Sequence, residues 1–72
     1  MEELKIMVNI EPIESFIKKN KMSKKTFCRL CGISYGTYRK LENGKTNFSS
    51  ITILKIALFC GCRISDIFYC EN

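Results

Sequence analysis

The chain has 72 residues, 46% of them hydrophobic, with twelve Lys or Arg against seven Asp or Glu, a net charge of +5 and no histidine. A chain of this size forms one small domain that buries only about 60% of its unfolded surface, so a large catalytic cleft is excluded, and its hydrophobic content argues against disorder. No apolar run reaches the roughly 18–20 residues of a membrane span, and the start Met1-Glu2-Glu3 lacks a basic signal-peptide region; the expectation is a soluble, cytoplasmic protein with no membrane association.

Residues 4–11 alternate, with Leu4, Ile6, Val8 and Ile10 on one side and Lys5, Met7, Asn9 and Glu11 on the other. Period two reads as a strand with one buried face. Everything after it has helical spacing, so the strand is expected to lack a partner in its own chain. An open edge of that kind invites a second copy, which makes Leu4, Ile6 and Val8 candidates for a homodimer interface. A ragged N-terminal arm, or an early start to the first helix, fits the same residues. Residues 1–11 are therefore set apart as an arm and 12–69 as the domain proper.

Pro12 suits the first turn of a helix, where its missing N–H is no loss, and Ile13, Phe16 and Ile17 give that helix an apolar stripe up to Asn20. Ser23 is a good N-cap for a second helix over 24–31, with Phe27, Cys28 and Cys31 inward, Lys25 and Arg29 outward, and Gly32 as its stop. Ser34 caps a third helix from Tyr35 to about Asn43, closed by Gly44. Ser49 or Ser50 caps a fourth, ending at Gly61, and a short fifth covers Ile64 to Phe68. The predicted fold is all-α, with five helices and a short N-terminal strand or arm.

Between Lys18 and Lys45 stand nine of the twelve basic residues and a single acid, Glu42. A stretch that repels itself this strongly suits a polyanion, because phosphates neutralised by Lys and Arg release condensed counterions. The third helix sharpens this. Wound at the α-helical repeat, it places Tyr35, Arg39, Gly36 and Lys40 side by side, in that order, on one contiguous face. Tyr38 and Leu41 form the opposite face, with Thr37 on the flank beside Leu41. A helix anchored on one side and carrying a ring, a bare backbone and two cations on the other has what a major groove requires. An ordinary solvated face beside a core face has the same pattern.

The order of residues from Ser23 to Lys45 favours the first. Gly32-Ile33-Ser34 resembles the Gly-Val-Ser turn of the phage-repressor and Cro type of helix-turn-helix, the xenobiotic-response-element family. Leu41-Glu42-Asn43-Gly44-Lys45 resembles the run that closes its recognition helix, and Ala57 and Gly61-Cys62-Arg63-Ile64 fit its later positions. The likeness covers roughly 13–68. It implies that Tyr35, Gly36, Arg39 and Lys40 face base edges, and that Ser23, Lys24, Thr37, Asn43 and Lys45 sit near phosphates of double-stranded DNA. Three departures stand out. Lys24 replaces a customary Gln. Ile17 replaces an Arg that often pairs with the Glu matched by Glu42, so Glu42 must find Lys18, Lys21 or solvent. Gly36 sits inside a helix at about 0.5–1 kcal/mol relative to Ala.

Two features stand outside that frame. The fourth helix is apolar nearly all round, and Ile51 and Leu58, seven apart, are expected to meet a second subunit or the N-terminal arm, together with Phe59. Five cysteines, Cys28, Cys31, Cys60, Cys62 and Cys70, could in part bind zinc through Cys28-x-x-Cys31 and Cys60-x-Cys62. Free cysteine is equally a small core residue, and four are read as core and Cys70 as a tail thiol, with no metal and no cofactor. The expected function is a sequence-specific, homodimeric transcriptional regulator, a repressor working at the nucleoid and of phage or mobile-element origin. The alternative is an antitoxin-like or regulatory subunit that uses the fold to hold a protein partner. A thiol or zinc enzyme has little support without histidine or paired carboxylates, and no catalytic residue is assigned.

Overall fold

The computed structural model describes residues 5–71. Its elements run β1 (Lys5–Val8), α1 (Glu11–Lys19), α2 (Lys24–Cys31), α3 (Tyr35–Glu42), α4 (Ser50–Cys60), α5 (Ile64–Ile67) and β2 (Phe68–Glu71). The five helices are the expected ones. The fifth stops one residue short of Phe68, which takes an extended backbone and opens β2.

Each helix boundary has a local chemical cause. Ser23, Ser34 and Ser49 are extended N-caps whose hydroxyls accept the N–H of Thr26, Thr37 and Thr52, each satisfying a donor the helix cannot. The α5 start is held in reverse, with the Arg63 N–H donating to the Asp66 carboxylate at 3.0 Å. The C-termini of α2, α3 and α4 end with Gly32, Gly44 and Gly61 at positive φ. In each case the next residue's N–H donates five residues back, Ile33 to Cys28, Lys45 to Lys40 and Cys62 to Ala57, the closure glycine permits without a Cβ penalty. The end of α1 closes in the same way, Met22 donating to Ile17, but its left-handed residue is Lys21, φ 51°. A side chain in that region costs roughly 1–2 kcal/mol.

The core is built from one face of every helix. Ile13, Phe27, Cys28, Cys31, Tyr38, Leu41, Ile56 and Ile67 form one buried cluster, with Phe16, Ile17, Phe48, Phe59 and Phe68 packed around it. Phe27 is its hub. Its ring meets Phe16 at 6.1 Å, Phe59 at 5.5 Å and Tyr38 at 5.9 Å, all edge-on, a geometry worth about 0.5–1.5 kcal/mol per pair beyond burial. Phe59 therefore belongs to the core edge rather than to an outer contact.

The N-terminal strand departs most from the sequence reading. It has a partner in its own chain: β1 pairs antiparallel with β2 in the register Lys5 with Glu71, Ile6 with Cys70, Met7 with Tyr69 and Val8 with Phe68. It is also shorter than the alternation, because Asn9 turns the chain. The Asn9 N–H donates to the Ile67 carbonyl at 2.7 Å and its side chain accepts from Glu11, so residues 9–11 enter the helix. Val8 packs inward and Cys70 lies within a strand, while Leu4 falls outside the described residues. A lone strand was expected because Phe68 to Glu71 was read as helix end and tail.

All five thiols are free. Cys28 and Cys31 are buried, Cys60 and Cys62 half-buried, and Cys70 exposed. Burial pushes Cys28, Cys31 and Cys62 above the ordinary thiol value, and pushes Cys60 up to about 12. Among the described residues no group of three or more Cys, Asp or Glu could hold a metal ion. An acid whose folded pKa exceeds its unfolded value keeps its full contribution to stability below the unfolded pKa and loses it as pH rises toward the folded one. Stability is therefore expected to fall between about pH 9 and about pH 12, in a thermal melt series that is flat below pH 8. Near neutral pH, Cys70 is expected to react fastest with a thiol reagent, the half-buried Cys60 and Cys62 more slowly, and the buried Cys28 and Cys31 only on unfolding.

Candidate nucleic-acid interface

The α2–α3 pair is joined by Gly32, Ile33 and Ser34, with the Lys55 ammonium of α4 donating to the Gly32 carbonyl at 3.3 Å. That cation sits at the C-terminal end of α2, where the helix dipole favours positive charge. Tyr38 and Leu41 of α3 are fully buried, so the helix is fixed in rotation by two anchors one turn apart. Tyr35, Gly36, Arg39 and Lys40 are all exposed, as the helical-wheel reading requires, and form the outward face of α3.

Tyr35 stacks on Tyr38 with the rings 12° from parallel and their centroids 6.4 Å apart, and the Lys25 ammonium stands over the Tyr35 ring, 5.9 Å from its centroid. The ring of Tyr35 thus has two neighbours, a buried ring and a cation, which lowers the entropy it must lose on binding. Lys24 stands likewise 5.8 Å from the Tyr38 ring. A Cβ added to Gly36 would meet only the Ser34 hydroxyl, at 3.8 Å. No packing within the chain demands glycine there.

The Glu42 carboxylate finds neither Lys18 nor Lys21. It pairs with Lys24 at 2.6 Å and, more loosely, with Arg39 at 3.6 Å. The hydrogen bond from Lys24 to Glu42, followed by the charge of Glu42, raises the Lys24 pKa above the usual lysine value. Ile17 cannot offer a cation and packs on the core instead, so the start of α2 supplies it. The pair ties α2 to the end of α3. Exposed ion pairs of this kind contribute little to stability, and this one acts chiefly on where charge is presented. Among the described residues, Lys40 and Lys45 have no ion pair, whereas Lys24 has its charge compensated and Arg39 has it partly so.

The remaining phosphate candidates are placed as follows. The Ser23 hydroxyl donates to Thr26 and accepts from its N–H, and the Thr37 hydroxyl shares a hydrogen bond with Ser34. Both are engaged in caps, at the N-termini of α2 and α3. Asn43 is the exposed C-cap of α3, and Lys45 is exposed just beyond it. The sequence reading did not identify Lys25 as an aromatic partner. Its place one turn before Arg29 on the outward face of α2 gave the only hint.

One buried polar atom is left over. The Tyr38 hydroxyl has no hydrogen-bond partner among the described residues, and burial raises its pKa. An unpaired buried donor costs about 1–3 kcal/mol. Tyr38→Phe is therefore expected to raise the unfolding free energy by about 1 kcal/mol in urea titration, with the rings still stacked; a loss of stability would mean the hydroxyl is satisfied in solution.

Two capped helices joined by a glycine turn, the second locked to a core through Tyr38 and Leu41, make a helix-turn-helix. Comparison with known families agrees: the helix-turn-helix model matches residues 13–67, and the chain belongs to that family, of the phage-repressor and Cro type. It is a DNA-binding domain of the kind found in transcriptional regulators. No curated protein matches the chain. Among the described residues no helix is long and apolar enough to cross a membrane.

Proposed function

We propose that the protein is a sequence-specific repressor that binds a palindromic duplex site as a homodimer, with α3 of each copy in a major groove. Arg39 and Lys40 pair with guanine O6 and N7, Tyr35 lies against a thymine methyl, and Gly36 lets the α3 backbone approach the bases. Ser23, Lys24, Thr37, Asn43 and Lys45 line the flanking phosphates. Residues 12–69 carry the DNA contacts, the half-sites lie one helical turn, about 34 Å, apart, and repression follows where the site overlaps a promoter. The protein works in the cytoplasm, at the nucleoid. The single observation that carries this reading is the outward face of α3, four exposed residues held in place by the buried Tyr38 and Leu41.

A second copy is favoured by α4. Ile51, Leu54 and Leu58 are 67%, 49% and 72% exposed, and they fall on one stripe opposite the buried Ile56 and Ala57. Nothing among the described residues covers that stripe, and contiguous exposed apolar surface marks contact sites. The strand's contribution to the dimer is smaller than its alternation suggests: Val8 packs inward, and Ile6 remains exposed at the ribbon's outer end. Leu58→Glu tests the assembly. It is expected to convert a sedimenting dimer to a monomer with an unchanged helical spectrum, and to lower affinity for a full palindrome at least tenfold while half-site binding persists. A dimer that survives Leu58→Glu would shift the interface to the ribbon. A monomeric parent protein would favour the reading in which α4 holds a different protein, as an antitoxin or regulatory subunit does.

A further inference from the structure

The ribbon leaves one of its edges open. The Asn9 N–H bonds the Ile67 carbonyl at 2.7 Å, in register with the β1–β2 ladder. Bonded and non-bonded pairs alternate along an antiparallel ladder, so Met7 with Tyr69 and Lys5 with Glu71 exchange backbone hydrogen bonds. The N–H and C=O groups of Ile6 and Val8 therefore point away from β2. No turn or loop bond uses them, and among the described residues no helix runs along β1. The outer edge of β2 is partly spent, because the Phe68 N–H donates to the Ile64 carbonyl of α5. Beyond Val8 and Phe68, which pack on the core, Ile6, Tyr69 and Cys70 leave the ribbon bare on both faces.

This edge is complementary to itself. Laid antiparallel on a second copy about a two-fold axis through Met7, Ile6 of each copy faces Val8 of the other, each pair exchanging both N–H···O bonds. The β-branched side chains of Ile6 and Val8 then meet as cross-strand neighbours. Lys5 faces Asn9, so no like charges are opposed. The chain turns toward α1 at Asn9, and a longer strand from another protein would find no further bonds there. We propose that β1 is a self-association edge, distinct from the α4 stripe, through which one copy joins another in a continuous sheet. Two different two-fold contacts on one chain link dimer to dimer. So short an edge is a weak contact in dilute solution, but DNA that holds two dimers at neighbouring sites makes the encounter intramolecular. The use of the edge, cooperative filling of adjacent sites, rests on the DNA-binding reading above; the contact itself does not.

Ile6→Pro removes the outward N–H and leaves the ladder to β2 intact, because proline is tolerated on an edge whose N–H faces solvent. Ile6→Val keeps both the donor and a branched side chain. In sedimentation of DNA-free protein at up to about millimolar concentration, the parent and Ile6→Val are expected to show an association step that Ile6→Pro lacks. On a duplex with two copies of a selected site in helical phase, the parent and Ile6→Val should fill the second site about tenfold more tightly than a lone site. Ile6→Pro should fill both sites as it fills one. Amide exchange in the parent needs no variant: the Ile6 and Val8 N–H groups should exchange as free amides when dilute and become protected when concentrated. Fast exchange of both at every concentration, or association of a folded Ile6→Pro equal to the parent's, would overturn the proposal. A parent that shows the association step and the protection but binds no duplex would confirm the edge and refute the DNA-binding reading instead.

Discussion

Phe27→Ala is expected to leave the domain largely unfolded at 37 °C, with loss of DNA binding as a consequence. Phe27 is fully buried and touches the rings of Phe16, Phe59 and Tyr38. It therefore joins α1 and α4 to the recognition helix. Truncating a buried Phe costs about 3–5 kcal/mol, and a chain of this length has roughly 4–11 kcal/mol in total at 0.05–0.15 kcal/mol per residue. The substitution removes about half of that reserve at mid-range and all of it at the low end. Circular dichroism during a thermal melt is the direct check. A cooperative melt within a few degrees of the parent would mean that the aromatic cluster is not the mechanical base of α3.

The second large effect falls on binding alone. Arg39→Ala and Lys40→Ala remove exposed side chains that no packing requires, so both variants should fold as the parent does. Each should lose about 1–3 kcal/mol of discrimination at its own base position, roughly 5- to 150-fold, while keeping affinity for unrelated duplexes. The larger loss is expected at Lys40, because Arg39 is already drawn 3.6 Å from Glu42 and part of its charge is compensated. Lys45→Ala should instead weaken every sequence alike. Equal losses on cognate and random duplexes for Lys40→Ala would place α3 on the phosphate backbone rather than among the bases.

Much of this was legible in the chain because the relevant signals are local. Serine caps, glycine stops and apolar stripes lie within one helix each, and they placed α1 to α4 to within a residue or two. The exposed face of α3 follows from its two buried anchors, Tyr38 and Leu41, both visible as a wheel. What escaped was long-range. The partner of β1 is separated from it by the whole helical domain, and Phe68 to Glu71 carries too short a pattern to be recognised as a strand alone. Glu42 meets Lys24 rather than Lys18 or Lys21. That choice depends on how two helices cross, which spacing within either helix does not encode. The α4 stripe was half seen: Ile51 and Leu58 were identified, and Leu54, three residues after one and four before the other, completes it.

The ion pair changes how charge is distributed over the basic stretch. Counting lysines gives a uniform field, whereas the structure separates compensated cations, Lys24 and in part Arg39, from unpaired ones such as Lys21, Lys40 and Lys45. Only the second group can release counterions in full when a phosphate arrives.

The most direct test of the central claim is selection of bound duplexes from a random DNA pool, with the winners titrated against salt. A regulator that reads bases through α3 as a dimer should enrich a palindrome with half-site centres one helical turn apart, bound with a steep salt slope and far more tightly than random sequence. Weak binding without an enriched motif, lost near physiological salt, would contradict it and leave α4 as the functional surface.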